Sequence, residues 1–523
     1  MTTGRSLARA GLIVTVAFFV SRLLGWVRLV VIGTQIGPNA QLDTFFAAFR
    51  LPDLIFQLVA AGALSSALIP VISGLLATDE EGRAWRVAST VANVMLAILL
   101  ALALVVLVAA PLLIPWITPG FTEAQQAQTV ELTRIMLVSP ILLALGSLAT
   151  SLLNAKGRFA ASAVAPIVYN LAIIGGVLFL YPSMGITGLA VGVVAGSACH
   201  FGVQLLPLRA TGFRWTYRID LGDSSARQAL LLMVPRALGL GASQLTFLVA
   251  TSLASNLGTG AVSAFSIAFS VFQIPIGVIG IPIGVVMLPS MSRDLARGAV
   301  ASYVSLVTRA LRLIVWVMLP LAGLTIVLRT EIVTLLFGYG RFDERGVEMT
   351  ATALVCLSLA LASESLIAIL ARAFYASRDT LTPVIAAVLA VAINVTLAVL
   401  LVGRLELAGI GLAIAFGSWA EAGFLMATLS RRVGGFDVGE VVRSGIVALA
   451  CAVVASLVAW GALTAAQGAL GTEPARPVLL AEIAVVTSLA GLVYVGLSRA
   501  LRIPEVGTIV RLMSDALRRP ASP

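Results

Sequence analysis

Long apolar runs separated by short polar breaks set the pattern of this chain, and the runs have the length of membrane spans. A transmembrane helix needs about 20 mostly apolar residues. About fourteen such segments follow one another, at roughly 11–36, 44–76, 88–114, 130–153, 160–181, 186–208, 228–256, 262–289, 304–328, 347–376, 381–402, 406–430, 441–466 and 478–500. The breaks carry turn chemistry, as in Gly37-Pro38-Asn39 and Thr118-Pro119-Gly120-Phe121. No break is long enough for an inserted soluble domain. The pattern predicts an all-α polytopic membrane protein.

Helix breakers recur inside the runs, at Pro52, Pro70, Pro140, Pro166, Pro235, Pro275, Pro282, Pro289, Pro320 and Pro383. A proline removes one backbone hydrogen bond and bends its helix, which membrane helices tolerate when neighbours satisfy the freed carbonyl. The densest stretch, Gln273-Ile-Pro275-Ile-Gly277-Val-Ile-Gly280-Ile-Pro282-Ile-Gly284, predicts a hinge at Pro275, Gly277, Gly280 and Pro282.

A weak internal repeat runs through the pattern. Gly188-Leu-Ala-Val191 recurs as Gly411-Leu-Ala-Ile414, Asn170 has a counterpart near Asn394, and Arg22-Leu-Leu-Gly25 resembles Arg236-Ala-Leu-Gly239. The repeat predicts two six-span lobes related by a pseudo-two-fold axis, over 1–218 and 219–435, then a helix pair over 436–503 and a tail over 504–523. Parallel repeats of this kind are a transporter architecture with the substrate between the halves.

Composition agrees, with 59% hydrophobic and 11% charged residues, which excludes a soluble domain. A net charge of +10 would suit a nucleic-acid partner, but the placement of the charges argues against one. With the N-terminus in the cytoplasm, 23 of the 34 Lys and Arg residues fall on that side and only Arg329, Arg341, Arg345, Arg404 and Arg476 on the other. This positive-inside bias predicts that both termini are cytoplasmic. Arg5 and Arg9 precede a run of span length with no small-residue cleavage site, so no cleavable signal is expected. The basic end from Arg511 onward suits anionic lipid.

The remaining cations lie inside spans: Arg22, Arg28, Arg50, Arg134, Arg236 and Arg372. A charge at mid-membrane costs about 2.5–3.5 kcal/mol on insertion scales, so such residues face a wet, protein-lined path. Arg22, Arg28, Asp43, Arg50 and Asp53 crowd the stretch from Ser21 to Pro70, and three arginines there point to an anionic ligand. Arg134, at a span end, reads as interfacial. Glu364 and Glu421 lie within spans, where each serves either to carry a coupling proton or to pack helices. Cys199, Cys356 and Cys451 are too scattered for a disulfide framework or a metal cluster, and His200 has no partner at ligand spacing. No phosphate-cradling loop and no nucleophile–base pair is present, so no cofactor, metal or enzymatic step is expected.

These residues carry a family resemblance. Ser21-Arg22-Leu-Leu-Gly25 with Arg28, Leu42-Asp43 through Arg50-Leu-Pro52, Gly62-Ala63 and Ile69-Pro70 resemble the opening of the MurJ/MviN family of lipid II flippases. Further matches follow in order: Pro119-Gly120-Phe121; Leu153-Asn154 with Gly157-Arg158-Phe159 and Ala165-Pro166; Gln273-Ile-Pro275 with Gly277 and Leu288-Pro289; Leu336-Phe337 through Arg341-Phe342; and Phe374-Tyr375 through Asp379 with Thr382-Pro383.

The resemblance implies a MATE-like exporter with a V-shaped cavity between two six-helix lobes and two further helices lining a groove for a lipid tail. It implies that lipid II, a polyprenyl-diphosphate-linked sugar, is moved from the inner to the outer leaflet of the bacterial cytoplasmic membrane by alternating access. Membrane lipid is a further expected partner, and cell-wall synthesis proteins are candidate ones. Arg22, Arg28 and Asp43 match charged cavity positions of the family, and Arg50 a basic one. The chain departs from the family pattern at Leu29, Phe56, Ala61 and Ser270, where relatives carry charged residues. Arg236, outside that pattern, is the repeat partner of Arg22 and either restores a cation to the second lobe or snorkels to the headgroups. Arginine suits a diphosphate because its planar fork makes paired, charge-assisted hydrogen bonds. The alternatives are a multidrug or cation antiporter, which would favour carboxylates in the cavity, a flippase for another polyprenyl-diphosphate sugar, and a non-transporting cell-wall scaffold.

Overall fold

The computed structural model describes residues 4–59, 63–471 and 474–507; the side chains of 4–15, 18, 63, 65–67, 234–240, 242, 243 and 470 lie outside the description. The chain divides into two compact units, Met1–Ser263 with Tyr339–Asp343, and Ala264–Gly338 with Glu344–Pro523. Among the described residues ten helices are long and apolar enough to cross a membrane, or eleven if the bent pair Glu344–Ser358 and Leu361–Ala376 is one span.

The first unit holds α1 (Gly4–Ile36), α2 (Ala40–Val59), α3 (Ala63–Ala77), α4 (Glu81–Ile117), α5 (Glu123–Met136), α6 (Val138–Ala155), α7 (Phe159–Gly175), α8 (Tyr181–Met184), α9 (Ile186–Arg209) and α10 (Ser224–Ser255). Thr122 starts α5 with a reciprocal cap, its hydroxyl accepting from Gln125 N and the Gln125 side chain accepting from Thr122 N. Leu51, Ile55, Leu68, Trp85, Val91 and Leu148 form part of one buried core.

The sequence reading puts residues from 219 onward in the second lobe, whereas α10 packs on α2, α3 and α4 of the first unit. The extended segment before α10 shows why. Phe213 and Trp215 stack edge-on, with Phe213 also against Trp85. The backbone around Thr216 bonds to Ser89 and Asn93, and Arg83 pairs with Asp223, the residue that caps α10.

Tyr339–Asp343 also packs with this unit, although the chain before and after it belongs to the other. Arg341 N–H donates to Thr34 O at 2.8 Å. The backbones cross so closely that a Cβ at Gly340 (φ 68°) would lie 2.2 Å from Thr34 O, and one at Gly37 (φ 77°) 2.1 Å from Arg341 O. Only glycine fits either position.

The second unit holds α11 (Ala261–Pro275, whose first turn belongs to the first unit), α12 (Ile281–Ala296), α13 (Val300–Val327), α14 (Arg329–Phe337), α15 (Glu344–Ser358), α16 (Leu361–Ala376), α17 (Leu381–Arg432), α18 (Val438–Leu470) and α19 (Arg476–Ala500). One core joins α12, α13, α16 and α17 through Tyr303, Leu311, Leu366, Phe374 and Leu425. A second joins α13 to the C-terminal pair through Trp316, Ala459, Val486 and Tyr494.

Two helices contain a π-helical turn, Gly176–Leu180 and Ile276–Gly280. Each is followed two residues later by a proline, Pro182 or Pro282. The wider turn relieves the clash between the proline ring and the carbonyl four residues back.

A 52-residue helix such as α17 would be about 78 Å long if straight. It reverses at Glu406 (φ 50°, ψ −129°) into two arms. The first unit repeats this hairpin in α7–α9, turning at Gly185 (φ 59°, ψ −145°). The close contacts coincide: Gly188 against Leu180 and Gly196 against Tyr169 O in one, Gly409 against Leu401 and Gly417 against Ala390 O in the other. Each pair is offset by 221 residues. The two hairpins share this geometry in a register that pairs Gly188 with Gly409, where the sequence alignment pairs it with Gly411.

The turn residue is glycine in one copy and glutamate in the other, and the left-handed conformation costs a residue with a Cβ about 1–2 kcal/mol. Glu406→Gly is expected to raise the thermal midpoint of the purified protein, and Gly185→Ala to lower it. Scanning fluorimetry in detergent checks both.

Candidate functional site

The site builds from the packing of α1 on α7. Asn170 Nδ2 donates to Ser21 O at 3.3 Å and to Pro166 O at 2.9 Å. Two turns further along α1, Arg28 lies with its guanidinium carbon 5.8 Å from the centre of the Tyr169 ring. On α2, Arg50 Nε donates to Thr251 Oγ1 of α10 at 2.9 Å, and its guanidinium sits 5.3 Å from the centre of the Phe247 ring. Asp53, one turn on, interacts electrostatically with Arg50 and accepts from Gln57 and Gln244. Arg28 and Asp53 both act on Tyr169. Arg28, Arg50, Asp53 and Tyr169 thus form one polar neighbourhood on apolar helices, able to hold an anion by charge-assisted hydrogen bonds.

The other predicted residues fall in different places. Arg22 is exposed on α1, about 9 Å along the axis from Arg28. Arg236 falls in α10, and its side chain lies outside the described residues.

Asp43 is fully buried away from the arginines. It accepts from Gly260 N at 2.6 Å, Ser263 N at 2.8 Å and Ser263 Oγ at 2.7 Å. Asp43 thus sits in a cage of neutral donors. Leu29 is buried, Phe56 packs on the core, Ser270 Oγ donates to Ser266 O, and Ala61 lies outside the described residues. Arg134 is exposed and donates to Leu107 O.

In the second unit Glu364 Oε1 accepts from Ser418 Oγ at 2.6 Å, and Glu421 interacts with Glu364 across α16 and α17. The predicted hinge coincides with the π turn: Pro275 precedes it, Gly277 and Gly280 lie within it, and Pro282 follows. A Cβ at Gly280 would lie 2.9 Å from Ser365 Oγ, so that glycine also serves close packing on α16. An apolar groove of about 800 Å³ runs between α13, α16, α17 and α18, with Leu319, Leu366, Phe416, Trp419, Leu449 and Trp460 in its walls. Its lining suits a hydrocarbon chain.

Sequence reasoning missed Tyr169, Gln57, Gln244 and Thr251, and gave Asp53 no role. Their partners are up to 201 residues away in sequence. The available signal was polar side chains inside otherwise apolar runs.

This is the architecture of a multi-pass membrane transporter. The fold matches a lipid II flippase MurJ structure in an inward closed conformation, with a TM-score of 0.77 and 21% identity over 94% of this chain and 99% of that one. It also matches a MATE family multidrug resistance transporter of the MOP superfamily in an inward-facing conformation, with a TM-score of 0.66 and 16% identity over 80% of this chain and 95% of that one.

By sequence, the chain is 30% identical to the probable lipid II flippase MurJ of Rhizobium meliloti over 446 residues, 83% of each chain. It is 28% identical to the lipid II flippase MurJ of Burkholderia cenocepacia over 435 residues, 82% of this chain and 84% of that one. The family profile described as lipid II flippase MurJ matches residues 32–479, and the chain belongs to that family.

Asp43→Ala would leave the donors of Gly260 and Ser263 without their acceptor, at about 1–3 kcal/mol for each buried group left unpaired. A fall in thermal midpoint is expected for Asp43→Ala, larger than for Ser263→Ala, which removes a single hydroxyl. Paired melting curves of the purified variants check the order.

Proposed function

We propose that this protein moves lipid II from the inner to the outer leaflet of the bacterial cytoplasmic membrane, and that Arg28 and Arg50 receive its diphosphate. The observation that carries the reading is the polar neighbourhood of Arg28, Tyr169, Asp53 and Arg50, held on α1, α2, α7 and α10. Family membership supplies the substrate class. Arg22, along α1, and Arg236, on α10, extend the cationic path, while Asp43 holds a turn and does not bind the substrate.

The reversal at Glu406 supports fourteen spans: two six-helix lobes followed by the pair α18 and α19, with both termini cytoplasmic. The groove beside α18 takes the polyprenyl tail, which stays in hydrocarbon while the head crosses. Alternating access bends α11–α12 at the π turn. Glu364 and Glu421 supply carboxylates for proton coupling, and the membrane potential acts on any charge moved, at about 2.3 kcal/mol per elementary charge per 100 mV. Transport needs no covalent chemistry.

Expression in a strain depleted of its own lipid II flippase tests the reading. The wild-type chain is expected to restore growth. Arg28→Ala and Arg50→Ala lose rescue at equal membrane levels, and the lysine variants keep only part of it, because lysine lacks the bidentate fork. Rescue that survives the joint loss of Arg22, Arg28, Arg50 and Arg236 overturns the assigned site.

A further inference from the structure

Two carboxyl groups at one end of the C-terminal helix pair have no part in the transport reading. Glu331 of α14 is 8% exposed and Glu482 of α19 is 6% exposed. Glu331 Oε1 accepts from Gln467 Nε2 of α18 at 2.9 Å. Glu482 Oε1 is buried with no hydrogen-bond partner. The two carboxyl groups are near enough for the charge of Glu482 to act on Glu331.

The surroundings supply little else. Leu479 and Val486 flank Glu482 on the buried face of α19, and α18 brings Leu463. Arg329 acts on Glu331 from the start of α14, with its guanidinium also donating to Ile326 O at 3.1 Å, and Arg476 begins α19. Residues 313–327 of α13 and 452–470 of α18 contain no titratable side chain, whereas α15, which also packs on α14, carries Glu344, Arg345 and Glu348 in its first two turns. Glu331 thus has the Gln467 amide and its own backbone N–H as donors, while the buried Oε1 of Glu482 beside it has none. An unpaired buried acceptor and adjacent like charges are both costly. One proton answers both.

We propose that Glu331, buried beside Glu482, is a proton-binding site whose proton fastens α14 against α19. In the orientation proposed above this end faces outward, so the site would read external pH; the pairing itself stands whatever the arginines of the first unit bind. Burial first, and then the charge of Glu482, push the Glu331 carboxyl above the ordinary glutamate range. A group raised in the folded state binds its proton more tightly there than in the unfolded chain. Stability is then greatest in acid and falls as the pH rises above the unfolded value of 4.5.

The test is the thermal midpoint of the full-length protein in detergent, read from about pH 5 to about pH 8 at fixed ionic strength. The wild type is expected to melt about 2–4 °C lower at the alkaline end. Glu482→Gln, whose amide keeps a donor at every pH, should flatten that slope and retain the acid-side midpoint. Glu331→Gln reads the same pair from α14 should the first variant not fold. A slope unchanged in either variant overturns the proposal. So does a midpoint that follows sodium or potassium concentration at fixed pH, which would assign a metal cation in place of the proton. Flippase rescue is not the readout, so failure here is distinguishable from failure of the transport reading.

Discussion

A hydrogen-bonding or charged side chain placed in hydrocarbon finds no partner in its solvent, so the protein has to supply one. That constraint arranges most of what is specific here. Asn170 holds α1 to α7 through backbone carbonyls, Arg50 reaches Thr251, Asp43 takes the donors of the Gly258–Ser263 turn, and Glu364 takes the hydroxyl of Ser418. Apolar packing is plentiful and unselective by comparison, because lipid tails are as apolar as leucine. The polar contacts decide which helix sits beside which.

The same constraint explains what could be read from the sequence. Helices long and apolar enough to cross a membrane follow from hydropathy, and the irregular turn at Ile276–Gly280 falls in the stretch where Pro275, Gly277, Gly280 and Pro282 act through the backbone within about two turns. The reversal in α17 was placed correctly between the runs at 381–402 and 406–430, although glutamate is a poor residue for it. The partners of Arg28 and Arg50 were not legible, since Tyr169, Phe247 and Thr251 meet them only after the helices pack. The neighbours of α10 were not legible either, since Asp223, Arg83 and the segment lying on α4 hold it beside α2, α3 and α4.

The two hairpins show how register is set. Sequence identity favoured Gly188-Leu-Ala-Val191 against Gly411-Leu-Ala-Ile414, because small residues recur at the usual spacing of packed helices. Backbone geometry is less degenerate. A reversal with positive φ followed three residues later by a glycine pressed on the preceding arm occurs in both copies, at Gly185–Gly188 and Glu406–Gly409. In the second copy glutamate occupies the strained position, so surrounding contacts hold the turn without the conformational freedom of glycine.

Both arginines of the candidate site are held against aromatic faces, Arg28 on Tyr169 and Arg50 on Phe247. A ring attracts the flat face of a guanidinium, while the N–H groups lie in the plane and point along its edge. The cation is thereby kept in an apolar helix without turning all of its donors toward a carboxylate, which would make a closed ion pair with little left for a ligand. Asp53 engages Arg50, and Gln57 and Gln244 share that carboxylate, so its pull is divided. A site built in this way can exchange an internal contact for a phosphate at modest cost. That is the requirement on a carrier that binds its cargo on one side of a membrane and releases it on the other, where very tight binding would halt the cycle.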